Sequence, residues 1–126
     1  MTDEKILYKD LSYMIVGIAM KVHSELGHGF LEKVYENAMM IMLKDVGMKA
    51  AQQSPVVVTF HGEVVGDYYA DILVDDKIIL ELKSADRIID AHRAQTLNYL
   101  KATGKELALI LNFGKEKLEH ERLILN

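Results

Sequence analysis

A mixed α/β (α+β) fold, with helices packed on a mixed β-sheet, is predicted by three features of the 126-residue sequence. Two N-terminal segments carry apolar residues at helical spacing. The middle of the chain then switches to short strand-like runs broken by turn signals. An unbroken apolar run follows a third helical segment, as a buried central strand does. The expected order is ααβββ(β)αββ.

The first helix is expected from about Lys9 to Leu26, because Leu11, Met14, Ile15, Ile18, Ala19, Val22 and Leu26 fall on one stripe and Gly27-His28-Gly29 ends it. A second helix starts near Phe30, with Leu31, Val34, Tyr35, Ala38 and Met42 as its stripe and Gly47 at its close; Met39, Met40 and Met42 are read as core filling. Val56–Phe60 and Glu63–Val65 flank His61-Gly62 as a hairpin. Asp67–Val74 and Lys77–Lys83 form a second hairpin around Asp75-Asp76. A third helix runs from about Ile89 to Ala102 and stops at Gly104. Leu107–Leu111 is the buried strand, and Glu121–Leu125 is a final edge strand.

Length and composition describe one soluble globular domain over residues 1–126, with 50% hydrophobic and 27% charged residues. Without cysteine there is no disulfide framework and no zinc–thiolate site, so a reducing, cytoplasmic location is expected. Acidic residues precede the apolar run Met14–Met20, which is too short to span a bilayer, so neither a secretory signal nor a membrane span is expected. The net charge of −4 gives no basic excess of the kind that marks nucleic-acid binding.

The chemistry concentrates in the second hairpin, DYYADILVDDKIILELKSAD. If Val74 pairs with Ile78, Asp71 faces Glu81 on the opposite strand. Strand alternation puts Glu81 and Lys83 on one face, with Leu80 and Leu82 on the other. Facing carboxylates repel unless a proton or a cation sits between them. Magnesium suits such a pair, since it takes oxygen ligands from one or two carboxylates plus water and phosphate. A neighbouring lysine can orient attacking water or stabilise developing negative charge. The plain alternative is a surface hairpin with solvated charges and Lys83 as an ion-pair partner; a one-residue slip in register would separate the group.

Other residues converge on the same place. Glu32 and Glu36 are four apart on the second helix and share a face, so one of them can add a carboxylate to the cluster, although both also suit a solvated helix flank. His92, Gln95 and Tyr99 make one polar-aromatic stripe on the third helix, suited either to a phosphate or nucleobase or simply to a wet helix side. His23, His28, His61 and His120 are scattered and are expected at the surface.

Gly29-Phe30-Leu31-Glu32-Lys33-Val34-Tyr35, followed by Glu36, resembles the signature of the GxxExxY proteins. The resemblance continues through YADILVDDKIILELKSAD, AHRAQTLNYLKATG and LALILNFG, and covers about Leu11 to Leu125. These proteins are similar to the PD-(D/E)XK nuclease superfamily. That resemblance implies a restriction-endonuclease-like core of αβββαβ type, metal ligands on the hairpin and a catalytic lysine. Asp71 matches the motif aspartate, Glu81 the second acid and Lys83 the lysine; Glu36, or else Glu32, matches the acid of the preceding helix. Gln95 and Tyr99 look like the Q-x-x-x-Y element of some members. Ala70 stands where the superfamily's name has proline, which metal chemistry does not need.

The expected function is therefore a nuclease that uses Mg2+ or Mn2+ to hydrolyse DNA by in-line attack of activated water. Its ligands are Asp71, Glu81 and a helix glutamate, with His92, Gln95 and Tyr99 toward substrate. Lys101, Lys105, Lys115 and Lys117 are candidates for a phosphate-gripping edge, and a homodimer or a protein partner is a further source of grip. The alternative is a non-catalytic nuclease-fold module acting through protein or nucleic-acid contacts.

Overall fold

The computed structural model describes residues 6–125. Helices α1 (Lys9–Leu26) and α2 (Glu32–Asp45) precede strands β1 (Ala50–Phe60), β2 (Glu63–Val74) and β3 (Ile78–Lys83). Helix α3 (Asp90–Thr103), then β4 (Leu107–Asn112) and β5 (Glu119–Ile124), complete the order. The five strands form one sheet in sequence order. All neighbours are antiparallel except β3 and β4, which are parallel and joined through α3, because a parallel pair needs a crossover.

The sheet is buried on both faces at its centre. Helices α1 and α2 cover one face, where Ile15, Ala19, Tyr35 and Met39 pack on Ile72, Leu80 and Leu109. Helix α3 covers the other, with Tyr99 and Leu100 against Ile79 and Ala108. Strand β4 is buried at every position, in keeping with its unbroken apolar run.

Three elements depart from expectation. Strand β1 begins at Ala50 rather than Val56; the added stretch, Ala50 to Pro55, is polar because β1 lies at the sheet edge, where Pro55 needs no ladder partner on its outer side. Strand β2 runs unbroken through Gly66, so the two expected strands are one. A β-carbon on Gly66 would press on Tyr68 and on Val58, 2.9 and 3.3 Å away, so the missing side chain lets β2 pair closely with Val58 beside the shift in register after that residue. The buried stripe of α2 is Tyr35, Glu36, Met39 and Leu43, while Leu31 is 78% exposed and Val34 39%. The helix is thus rotated so that a carboxylate faces inward.

His23 is also buried rather than at the surface, because the last turn of α1 lies against the loop after β4. Its Nε2 lies 2.7 Å from the Lys115 carbonyl, and its ring tilts against Phe113. The four candidate lysines do not share an edge. Lys105 precedes β4 and pairs with Asp76, whereas Lys115 follows β4 and pairs with Glu119. A six-residue strand, roughly 20 Å long, separates them.

Behind β3, one buried side chain ties two loops together. The Asn112 amide accepts from Ala85 N at 2.9 Å and Gly114 N at 3.1 Å, and donates to the Ala85 carbonyl at 3.0 Å. The two loops approach so closely that a β-carbon on Gly114 would collide with the backbone of Ser84 and Ala85. Backbone cannot swing aside as a flexible side chain can. Gly114→Ala is therefore expected to destabilise the protein by about 3 kcal/mol or more, read as a lowered midpoint in urea with unchanged slope.

Candidate active site at the fork of β2 and β3

The register predicted for the second hairpin is the one observed, with Val74 opposite Ile78 and Ile72 opposite Leu80. Asp75 and Asp76 make the turn at positive φ, which aspartate tolerates better than most residues. Past Ile72 and Leu80 the backbone ladder between the strands stops. There β2 continues with β1 alone while β3 continues with β4, so the strands fork.

Asp71 and Glu81 occupy the fork. The Asp71 N–H donates to Glu81 Oε2 at 3.0 Å, and the Leu82 N–H donates to Asp71 Oδ2 at 2.8 Å. Each carboxylate thus reaches across and replaces a backbone acceptor that the diverging strands no longer supply. Glu81 is only 4% exposed. It alternates with Leu80 and Leu82, whose side chains join the α1/α2 core, and so lies on the α3 side.

Burial and the neighbouring Asp71 push the Glu81 carboxyl up to about 8. Asp71 is also raised, mainly by burial, with the Leu82 N–H working in the opposite direction. The pair therefore holds a proton near neutral pH, and Glu81, the more deeply buried, carries it.

Lys83 lies two residues on and donates to Gln95 Oε1 at 3.3 Å, which joins the fork to α3. Tyr99 is buried one turn further along; burial, then the charges of Glu81 and Asp71, raise its phenol. His92 turns back to the start of α3, where its Nδ1 accepts the Ile89 N–H at 3.2 Å. Burial and the Lys83 charge lower its pKa, so the ring is neutral, with its proton on Nε2.

The helix glutamates stand on the α2 side, and both are engaged. Glu36, 3% exposed, accepts from Lys33 Nζ at 3.1 Å, from Gln53 Nε2 at 3.1 Å, and from Gln52. Glu32 accepts from the Ser84 N–H at 3.2 Å. Both acids act on Asp71 through their charge. Among the described residues no three His, Cys, Asp or Glu side chains are gathered closely enough to hold a metal ion together. The oxygen donors that do converge are those of the Asp71–Glu81 pair. Two carboxylates supply the kind of oxygen donors that a hard divalent ion prefers.

Sequence reasoning missed the glutamines that hold Glu36. Gln53 sits at φ 55°, and the β1–β2 register skips it opposite Asp71. That local departure from the ladder turns its amide toward α2. The adjacent pair Gln52-Gln53 in an otherwise small-residue run was the available signal.

The profile of the PD-(D/E)XK nuclease superfamily matches residues 9–123. The chain belongs to that superfamily. No curated protein matches it. Among solved structures, the PD-(D/E)XK chain resembles SSO0001, with TM-score 0.56 and 16% identity over 75% of this chain and 50% of that one. It also resembles LHK-Exo in complex with dAMP, with TM-score 0.57 and 12% identity over 76% and 56% of the two chains. A further match is the alkaline exonuclease LHK-Exo from Laribacter hongkongensis, with TM-score 0.52 and 12% identity over 75% and 56%. The chain thus spans about half the length of these structures, and likeness at such identities shows a shared restriction-endonuclease-like fold. No helix of the described residues is long and apolar enough to cross a membrane.

The raised Glu81 pKa fixes a pH dependence. The folded protein keeps a proton that the unfolded chain releases above about 4.5, so this group's contribution is full below that pH and declines until about 8. The slope approaches about 1.4 kcal/mol per pH unit for one proton. Urea unfolding in chelator is expected to show stability falling across this window, and Glu81→Gln is expected to flatten the fall.

Proposed function

We propose that this PD-(D/E)XK chain is a nuclease dependent on Mg2+ or Mn2+ that hydrolyses DNA phosphodiester bonds at the fork. One observation carries the reading: a buried glutamate and a partly buried aspartate face each other beside a lysine, an arrangement that costs stability unless a cation uses it. PD-(D/E)XK nucleases generally use divalent metal ions. A structural neighbour solved with dAMP and described as an alkaline exonuclease supports a nucleic-acid substrate.

Asp71 and Glu81 would hold the ion, which supplies Lewis acidity and a more acidic bound water. Glu81 would release its proton to solvent to serve as a ligand. The Lys83 ammonium, steadied by Gln95, stabilises the negative charge that grows on the phosphoryl oxygens during in-line attack. Glu36 and Glu32 add negative potential from the α2 side and fix the β1 and Ser84 backbone around the fork. His92, Gln95 and Tyr99 form the α3 wall toward the substrate.

Lys83→Ala is expected to keep metal binding by calorimetry while lowering cleavage of DNA in manganese by about 100-fold or more. Asp71→Ala is expected to lose both. Cleavage retained by both folded variants would remove these residues from the chemistry. Absence of both metal binding and cleavage in the unaltered protein would instead mark a non-catalytic module.

A further inference from the structure

Next to the fork lies a cleft of about 840 Å³ between β1, the free end of β2 and α3. The size falls in the range of sites that enclose a small organic group. We infer that this cleft takes an unpaired nucleobase and its sugar–phosphate, so that the substrate is single-stranded DNA. This deepens the nuclease reading and rests on it.

The walls supply what an unpaired base needs. Tyr68, half exposed, presents its ring over the cleft, with its centroid 5.9 Å from that of Tyr99. Ala94 lies along the floor, where a larger side chain would fill the space of a planar ring. Asn98 makes no hydrogen bond among the described residues, and Gln95 uses only its carbonyl oxygen, on Lys83. Both amides therefore keep N–H donors for a base edge. Lys101 has no ion-pair partner among the described residues and stands at the cleft as a counter-charge for a phosphate.

Charge decides between single strand and duplex. Among the described residues Lys101 is the one cation lining the cleft, in a chain of net charge −4. Duplex affinity comes mainly from many phosphate contacts, which this surface does not offer. A duplex also hides its base faces inside the stack, whereas a single strand offers them to tyrosine. The cleft joins the fork through Gln95, which lines the one and bonds Lys83 of the other. A base seated on Tyr68 therefore belongs to the same strand as the phosphate at Asp71 and Glu81.

The test measures fluorescence anisotropy of labelled oligothymidylate, alone and annealed to oligoadenylate, in chelator so that no cleavage occurs. The full chain is expected to bind the single strand more tightly. Tyr68→Ala should weaken that binding by about 5- to 150-fold, the equivalent of about 1–3 kcal/mol for one stacked base, while Tyr68→Phe retains it. Equal or tighter duplex binding, or unchanged binding by a folded Tyr68→Ala protein, would overturn the inference. Cleavage in manganese by the unaltered and Lys83→Ala proteins is read separately. Failure there removes the nuclease reading without touching the binding result.

Discussion

A buried acid and a partly buried one, face to face at the point where two strands part, are the constraint around which the molecule is organised. Taking a carboxylate out of water is costly, and taking two out side by side is more so. Asp71 and Glu81 lessen the cost by each accepting a backbone N–H that would otherwise lack a partner. The divergence of β2 from β3 and the presence of the acids are thus one feature. The fork leaves donors unsatisfied, and only long-reaching acceptors can satisfy them. What the hydrogen bonds leave over is the repulsion, which the structure relieves with a proton on Glu81.

The rest of the fold holds the fork open. On one side Gln52 and Gln53 clamp Glu36, and Gln53 leaves the regular ladder to do so, a left-handed backbone that a residue with a β-carbon adopts at a cost of about 1–3 kcal/mol. Below, Tyr35 donates to the Gly27 carbonyl, accepts from Phe30 N and stacks on Phe113, fixing the loop that leads into α2. Behind, Asn112 ties the turn after Lys83 to the loop after β4. On the far side Arg93 joins α3 to Glu121 on β5. Each link sets the position of one wall, so no element can shift without moving a side chain at the fork.

Much of this was legible in the sequence because it depends on local period and on register. The β2–β3 turn, with two aspartates between apolar runs, fixed which residues oppose, and so placed Asp71 against Glu81. Helix α1 and strand β4 followed from apolar spacing. Tertiary choices were not legible. Tyr35 and Met39 were expected inside, but nothing local tells whether Leu31 and Val34 or Glu36 and Leu43 share their face; packing on the sheet chose the second pair and carried Glu36 inward. The polar start of β1 reads as a loop until β2 is present to pair with it. His23 is polar in sequence and buried in fact because its partner, the Lys115 carbonyl, is far along the chain.

The same electrostatics bears on the proposed function, in which an acidic chain of this size would have to receive a polyanion. Near neutral pH the proton on Glu81 leaves the fork less negative than two ionised carboxylates would make it. On the proposed function an approaching phosphate would then meet less repulsion than from two bare carboxylates, although Glu36 and Glu32 still add negative charge from the α2 side. If Glu81 were as acidic as an exposed glutamate, its charge would set the two strands of the fork against each other and would repel the proposed substrate as well. Burial thus keeps the acids compatible with the sheet through one shift in pKa, and on the proposed function the same shift would hold back the negative charge until a metal ion displaces the proton.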